Sequence, residues 1–200
     1  MKSLVSLSLL AAFLLTACNF FGLFGSHEYV QNPDPNHTHA DFAIYIEGEK
    51  LDFSASNYMS GLSGEHKHPY LHLHDSIGHV LHAHKPGLML GQFLQSLGFA
   101  MTSQCLTLDT GVMVCPDKGK HWQMFVNGEK LPFDSAYAFK DMDKILLTYG
   151  ASAEEVKKEL TAMTDDACKY SKTCPWKGDP PTENCIADPE VPCVIPPEDL

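Results

Sequence analysis

The chain contains no arginine. Its fourteen basic residues are all lysine and face twenty-five acidic ones, giving a formal net charge of −11 at pH 7. Without a basic footprint or the guanidinium fork that pairs with phosphates and base edges, a nucleic-acid-binding role is excluded. No Cys-x-x-Cys occurs either, which argues against thioredoxin-like redox chemistry. The apolar stretch Leu4 to Leu15 is about a dozen residues long, too short for a stable bilayer-spanning helix, which needs roughly twenty.

That stretch follows the positive charge of Lys2 and reads as a signal-peptide core. It ends in Leu15-Thr16-Ala17-Cys18, which resembles the lipobox of bacterial lipoprotein precursors: an aliphatic residue, two small residues, then the acylated cysteine. The resemblance implies cleavage before Cys18 and a lipid anchor on it, in the cell envelope and facing away from the cytoplasm. Residues 18–36 then form a lipidated tether. The choice between inner and outer membrane stays open.

Setting Cys18 aside leaves Cys105, Cys115, Cys168, Cys174, Cys185 and Cys193, an even number that suits a disulfide-permitting compartment. Cys105 and Cys115 flank a short Thr-Leu-Asp-Thr-Gly turn and are expected to pair. The other four share a Pro-rich tail, and their pairing is open.

Alternation begins near residue 39, with Ala40, Phe42, Ile44 and Ile46 on one strand face and His39, Asp41, Ala43 and Tyr45 on the other. His37 is in phase with His39. Glu47-Gly48 turns this strand into a hairpin, and Ile44 to Phe53 is echoed by Met124 to Phe133, so two hairpins with Gly turns are expected. Leu90, Phe93, Leu94 and Leu97 have amphipathic helical spacing, and Gly98 stands where a glycine would end the helix. The order hairpin, helix, strands from about residue 70 suggests a β-grasp within an α+β, mainly β, fold. Past Gly150 the chain reads as a separate appendage. Ser152 and Glu155 form a capping box for a helix of about ten residues ending near Met163, followed by a Cys- and Pro-rich tail that disulfides must staple. The organisation expected is therefore 1–17 signal peptide, 18–36 tether, 37–150 His-rich β domain and 151–200 tail.

Trp122 to Gly128, Tyr137 and Lys140-Asp141-Met142-Asp143-Lys144-Ile145 resemble the end of the β-grasp domain found on bacterial surface proteins and at the C-terminus of transcobalamin. That family often has Gly where Met142 stands. From His37 onward, including Ala167-Cys168-Lys169-Tyr170-Ser171-Lys172-Thr173-Cys174-Pro175, the chain resembles a family of exported, His-rich bacterial proteins.

Histidine is the compositional anomaly, since nine of the eleven lie between His37 and His84. Leu71 to His84 holds two His-x-His pairs, each projecting both imidazoles from one face of a strand. Asp75 and Gly78 suit a type I turn with a left-handed Gly bulge, leaving Ser76, Ile77 and Gly78 as the loop. In that register His82 faces His72, and His72, His74, His82 and His84 share one face, with His79 and Leu73 on the other. A loop one residue longer would throw His82 to the opposite side. Leu73 and Leu81 favour the shorter loop, because it places both on the core face.

Imidazoles alone suit zinc or copper(II) rather than magnesium or calcium. His72, His74 and His82 are the expected inner shell, completed by His84 or His39. Neutral rings are needed, so affinity should fall below about pH 6.5, the unperturbed His value. His66 and His68 lie in a Gly-rich loop, as chance or secondary ligands, and His27 and His121 are isolated. Asp75 is explained by its turn, whereas Asp41 points with His39 as a candidate outer partner. Three functions fit: a protein that captures, buffers or senses the ion; a zinc enzyme with three His ligands arranged as in α-type carbonic anhydrases; or a β-grasp module for an organic ligand or partner. The surplus of histidines favours the first.

Overall fold

The computed structural model describes residues 27–60 and 67–180. The signal-peptide stretch, Cys18, His66, Cys185 and Cys193 lie outside the described residues. In chain order come β1 (Thr38–Ile46), β2 (Glu49–Lys50), β3 (Leu71–His72), β4 (Val80–Ala83), α1 (Leu90–Ser96), β5 (Ala100–Met101), β6 (Leu106–Thr107), β7 (Met113–Val114), β8 (Trp122–Val126), β9 (Glu129–Leu131), β10 (Lys144–Tyr149), α2 (Ala153–Thr161) and α3 (Ala167–Tyr170). The fold is thus α+β and mainly β. Among these residues no helix is long and apolar enough to cross a membrane.

One sheet runs β3-β4-β1-β10-β8-β9, with β2 also paired to β1, and β5-β6-β7 form a second. β1 and β10 are parallel at the centre, with Ile44 beside Leu147, and the flanking pairs are antiparallel. A parallel pair of first and last strands with a helix across one face is a β-grasp arrangement. Its first strand is β1, not the hairpin near residue 70. The β1–β10 pairing joins segments about a hundred residues apart, and no local pattern reports it.

Both echoed segments are hairpins. Glu47 and Gly48 have φ of 52° and 84°, and Asn127 and Gly128 have 52° and 83°, the paired left-handed residues of type I′ turns. α1 buries Leu90, Phe93 and Leu94 against Phe42, Leu71, Leu73 and Leu81, with the Phe93 ring edge-on to Phe42 at 4.9 Å. Gly98 (φ 89°) ends the helix, its N–H donating to Gln95 O while Phe99 N–H donates to Leu94 O. Met142 sits at φ 63°, a conformation that favours glycine. It donates its N–H to His39 O at 2.7 Å, and its sulfur accepts from Thr173 Oγ1 at 2.9 Å.

Residues 151–180 pack on the sheet rather than standing apart from it. α2, capped reciprocally by Ser152 and Glu155, lays Val156 and Leu160 over Ala43, Tyr45, Phe125 and Leu146 on the sheet's second face. α3 lies on β1, where the buried Asp41 carboxylate accepts from Thr164 Oγ1 (2.5 Å), Asp166 N (3.0 Å) and Ala167 N (3.0 Å). Of the tail, Ala167 and Tyr170 pack on Val80 of β4. Within the stretch read as tether, His27 stacks on Trp176 at 4.8 Å and Val30 N–H donates to Thr173 O. Disulfides join Cys105 to Cys115 and Cys168 to Cys174.

Asp165 ties these pieces together, accepting from Tyr29 Oη (2.8 Å) and pairing with Lys144 Nζ (2.8 Å) and Lys177 Nζ (3.1 Å). Burial pushes its pKa up, but these three donors outweigh burial and hold it at about 2. The folded value lies below the unfolded one, near 3.9, so its stabilisation is complete above about pH 4 and is lost as pH falls toward 2. Thermal melts of wild type and Asp165→Asn should therefore differ at pH 6 and converge at pH 2. A constant difference across that range would refute this role.

Candidate metal centre

The leucines set the site. Leu71, Leu73 and Leu81 point into the α1 core, so the intervening histidines of β3 and β4 emerge on the opposite face. The register places His72 opposite His82 on β4, and His82 opposite His39 on β1. One row of three imidazoles thus crosses three adjacent strands. His37, His74 and His84 flank it.

The turn that delivers this register differs from the one expected. Asp75 and Ser76 carry the positive φ angles, 56° and 58°, and Ile77 N–H donates to His74 O at 2.9 Å. This is a type I′ turn with no left-handed glycine. Gly78 serves another purpose: a Cβ there would lie 2.4 Å from Phe53 C and 2.5 Å from Ser54 N. It lets the hairpin press on the chain after β2, a long-range approach that no local turn pattern encodes.

His39, His72, His82 and His84 are at most 4% exposed. His74 and His37 sit at the rim, with side chains 15% and 14% exposed. His74 Nε2 is 3.2 Å from His82 Nδ1, and His72 Nε2 is 3.3 Å from His84 Nε2. Ring centroids of His37 and His84 are 4.0 Å apart, and those of His39 and His82 are 4.7 Å apart. Rings packed this closely cannot all carry a charge, and the neutral ring is the one that ligates metal.

Neighbours orient the rings. Ser171 Oγ donates its one proton to Asp141 Oδ1 (2.5 Å), so His39 Nδ1, 2.8 Å from Ser171 Oγ, must donate to that hydroxyl. The lone pair of His39 is then on Nε2. His74 Nδ1 donates to Asp75 Oδ2 at 2.8 Å, which puts its lone pair on Nε2, the nitrogen facing His82. Tyr170 lies over the row, 4.7 Å from the His82 ring and 5.7 Å from His39. The Cys168–Cys174 bridge closes the short loop that carries Tyr170 and Ser171.

Among the described residues, two all-histidine groups have ligand atoms within 4.8 Å of one another and could hold a metal ion: His72, His74 and His82, and His37, His39 and His82. The fit is testable by geometry. Zinc–nitrogen bonds of about 2.0–2.1 Å at tetrahedral angles make nitrogen–nitrogen edges of roughly 3.3 Å. The 3.2 Å separation of His74 Nε2 and His82 Nδ1 matches one edge of the first group, and His84, outside both groups, meets His72 at a similar 3.3 Å. A shared proton and a shared ion are alternative occupants of one geometry.

Of the residues singled out in the sequence, His72, His74, His82, His84 and His39 are brought together, and His37 joins them. The signal for His37 was its phase with His39. His79 does not face the α1 core as its position opposite the histidines implied. Its Nε2 contacts Asp166 Oδ2 at 3.0 Å, drawn there by α3. Asp41 is not an outer partner of His39, because it holds α3 instead. Together with His79 and Asp166 it forms a third group of close ligand atoms, but its oxygens already accept three protein donors. His68 Nδ1 accepts from Tyr70 N–H at 3.1 Å, and burial lowers its pKa. His121 is exposed beside Gly119 O. The sequence could not announce Ser171, Asp141 and Tyr170, since they reach the site only through the docking of the C-terminal segment. Comparison with protein-family models, curated proteins and solved structures gives no match.

Proposed function

We propose that this is a lipid-anchored protein of the bacterial envelope that binds zinc or copper(II) outside the cytoplasmic membrane, to capture, buffer or sense the ion. One observation carries the metal reading: His72, His74 and His82, from the β3–β4 hairpin, hold ligand nitrogens within 4.8 Å on a largely buried face. The imidazole set supports zinc or copper(II) over oxygen-seeking ions. The lipobox-like Leu15-Thr16-Ala17-Cys18 and the two disulfides support the location.

Binding is favoured over zinc catalysis because a catalytic zinc keeps one position open. Here His84 stands 3.3 Å from His72, ready to fill it. Metal analysis of the untagged protein purified from membranes should find zinc or copper in stoichiometric amount. A His72→Ala/His74→Ala variant should lose stoichiometric binding at that triad, whereas His79→Ala should leave it unchanged. Full binding by the double variant, or metal-free wild-type protein that takes up neither ion, would overturn the reading.

A further inference from the structure

The two histidine triads share one residue. His82 Nδ1 faces His74 on the β3 side, while His39 lies across the other neighbouring strand with its ring perpendicular to His82 at 4.7 Å. The two nitrogens of an imidazole diverge, so two ions can use one ring without competing for a lone pair. We infer that the face holds two ions at once, bridged by His82, an inference that rests on the metal-binding reading above. His72, His74 and His82 Nδ1 take the first ion, and His37, His39 Nε2 and His82 Nε2 take the second.

Each triad is supported separately, as two built centres require and one centre with spare ligands does not. On the first side Asp75 orients His74 at 2.8 Å. On the second, Asp141 acts through Ser171 on His39, and Asp34 stands 4.0 Å from His37 Nδ1. Metal-ligating histidines ordinarily have such carboxylate support behind them. His84 lies between the two, ring to ring at 4.0 Å with His37, but its nitrogen approaches His72 at 3.3 Å and so completes the shell of the first ion.

Charge also balances. A bridging ring ligates through both nitrogens, so His82 gives its N–H proton to solvent and becomes an imidazolate, whose negative charge lies between the two dications. The three supporting carboxylates and the net charge of −11 lower the repulsion further.

The test uses the full-length protein in detergent, stripped with chelator and reloaded by dialysis against copper(II). Metal content should be close to two ions per chain. The electron paramagnetic resonance signal should integrate well below the copper present, because an imidazolate bridge couples the two spins. His37→Gln, at the rim of the site, should bind one ion and recover its full uncoupled signal, and His39→Gln should do the same. One ion in wild type, unaffected by either variant, would overturn the second position while leaving metal binding intact. Two ions with full signal intensity would overturn the bridge. No copper bound by wild type would defeat the metal-binding reading and this inference together.

Discussion

His82→Gln is expected to weaken zinc and copper(II) binding more than any other single substitution in the histidine cluster. Loss of an outer partner of a metal site typically costs about 10–100-fold in affinity. His82 is an inner donor common to both triads, so its loss should exceed about a hundredfold at each. Glutamine preserves a polar side chain of similar reach, and Leu81 and Ala83 continue to hold β4 in the core. The strand should therefore stay in place, which far-ultraviolet circular dichroism checks. Affinity is read by competition with a chromophoric chelator, with His79→Gln as a control that keeps a histidine next to Asp166 from counting as a ligand. Wild-type affinity in a folded His82→Gln protein would remove His82 from the site and both triads with it.

The hairpin register was legible for a reason that survives an error in the turn. Leu73 and Leu81 both had to reach the core, and only one pairing of β3 with β4 satisfies both while keeping His72 opposite His82. The turn itself is not legible locally, because Gly78 fits the pattern of a residue that needs a positive φ, whereas its lack of a side chain serves contact with Phe53 and Ser54. Asp75 and Ser76 take the left-handed positions instead. Local pattern also placed His37 and His39 on one strand face, but not which strands lie beside it. That β1 adjoins both β4 and β10 depends on pairings across about forty and a hundred residues, for which a single sequence carries no periodic signal. The tail misled for a related reason. Few apolar residues argue against an independent core, but they do not show that Val156 and Leu160 of α2 and Ala167 of α3 suffice to cover a sheet that already exists.

Asp41→Ala should have the largest effect on stability. Its carboxylate is 1% exposed and accepts from the Thr164 hydroxyl and the amides of Asp166 and Ala167, joining β1 to the start of α3. Hydrogen bonds to a charged acceptor contribute about 1.5–3 kcal/mol each, and deleting the acceptor leaves their donors unmet. Non-additivity brings the expected loss to about 3–5 kcal/mol. For a chain of this size that lowers Tm by roughly 6–20 °C. Asp41→Asn keeps one oxygen acceptor and should lose about half as much. The effect should extend to the metal, since α3 and the residue after it carry Tyr170 and Ser171 over His82 and His39. In an Asp41→Ala protein still folded at 20 °C, metal should leave the site faster, measured as the rate of transfer to excess chelator. A Tm within about 2 °C of wild type would show that the tail docks without this anchor. A lowered Tm with an unchanged transfer rate would show that α3 is not the cover of the site.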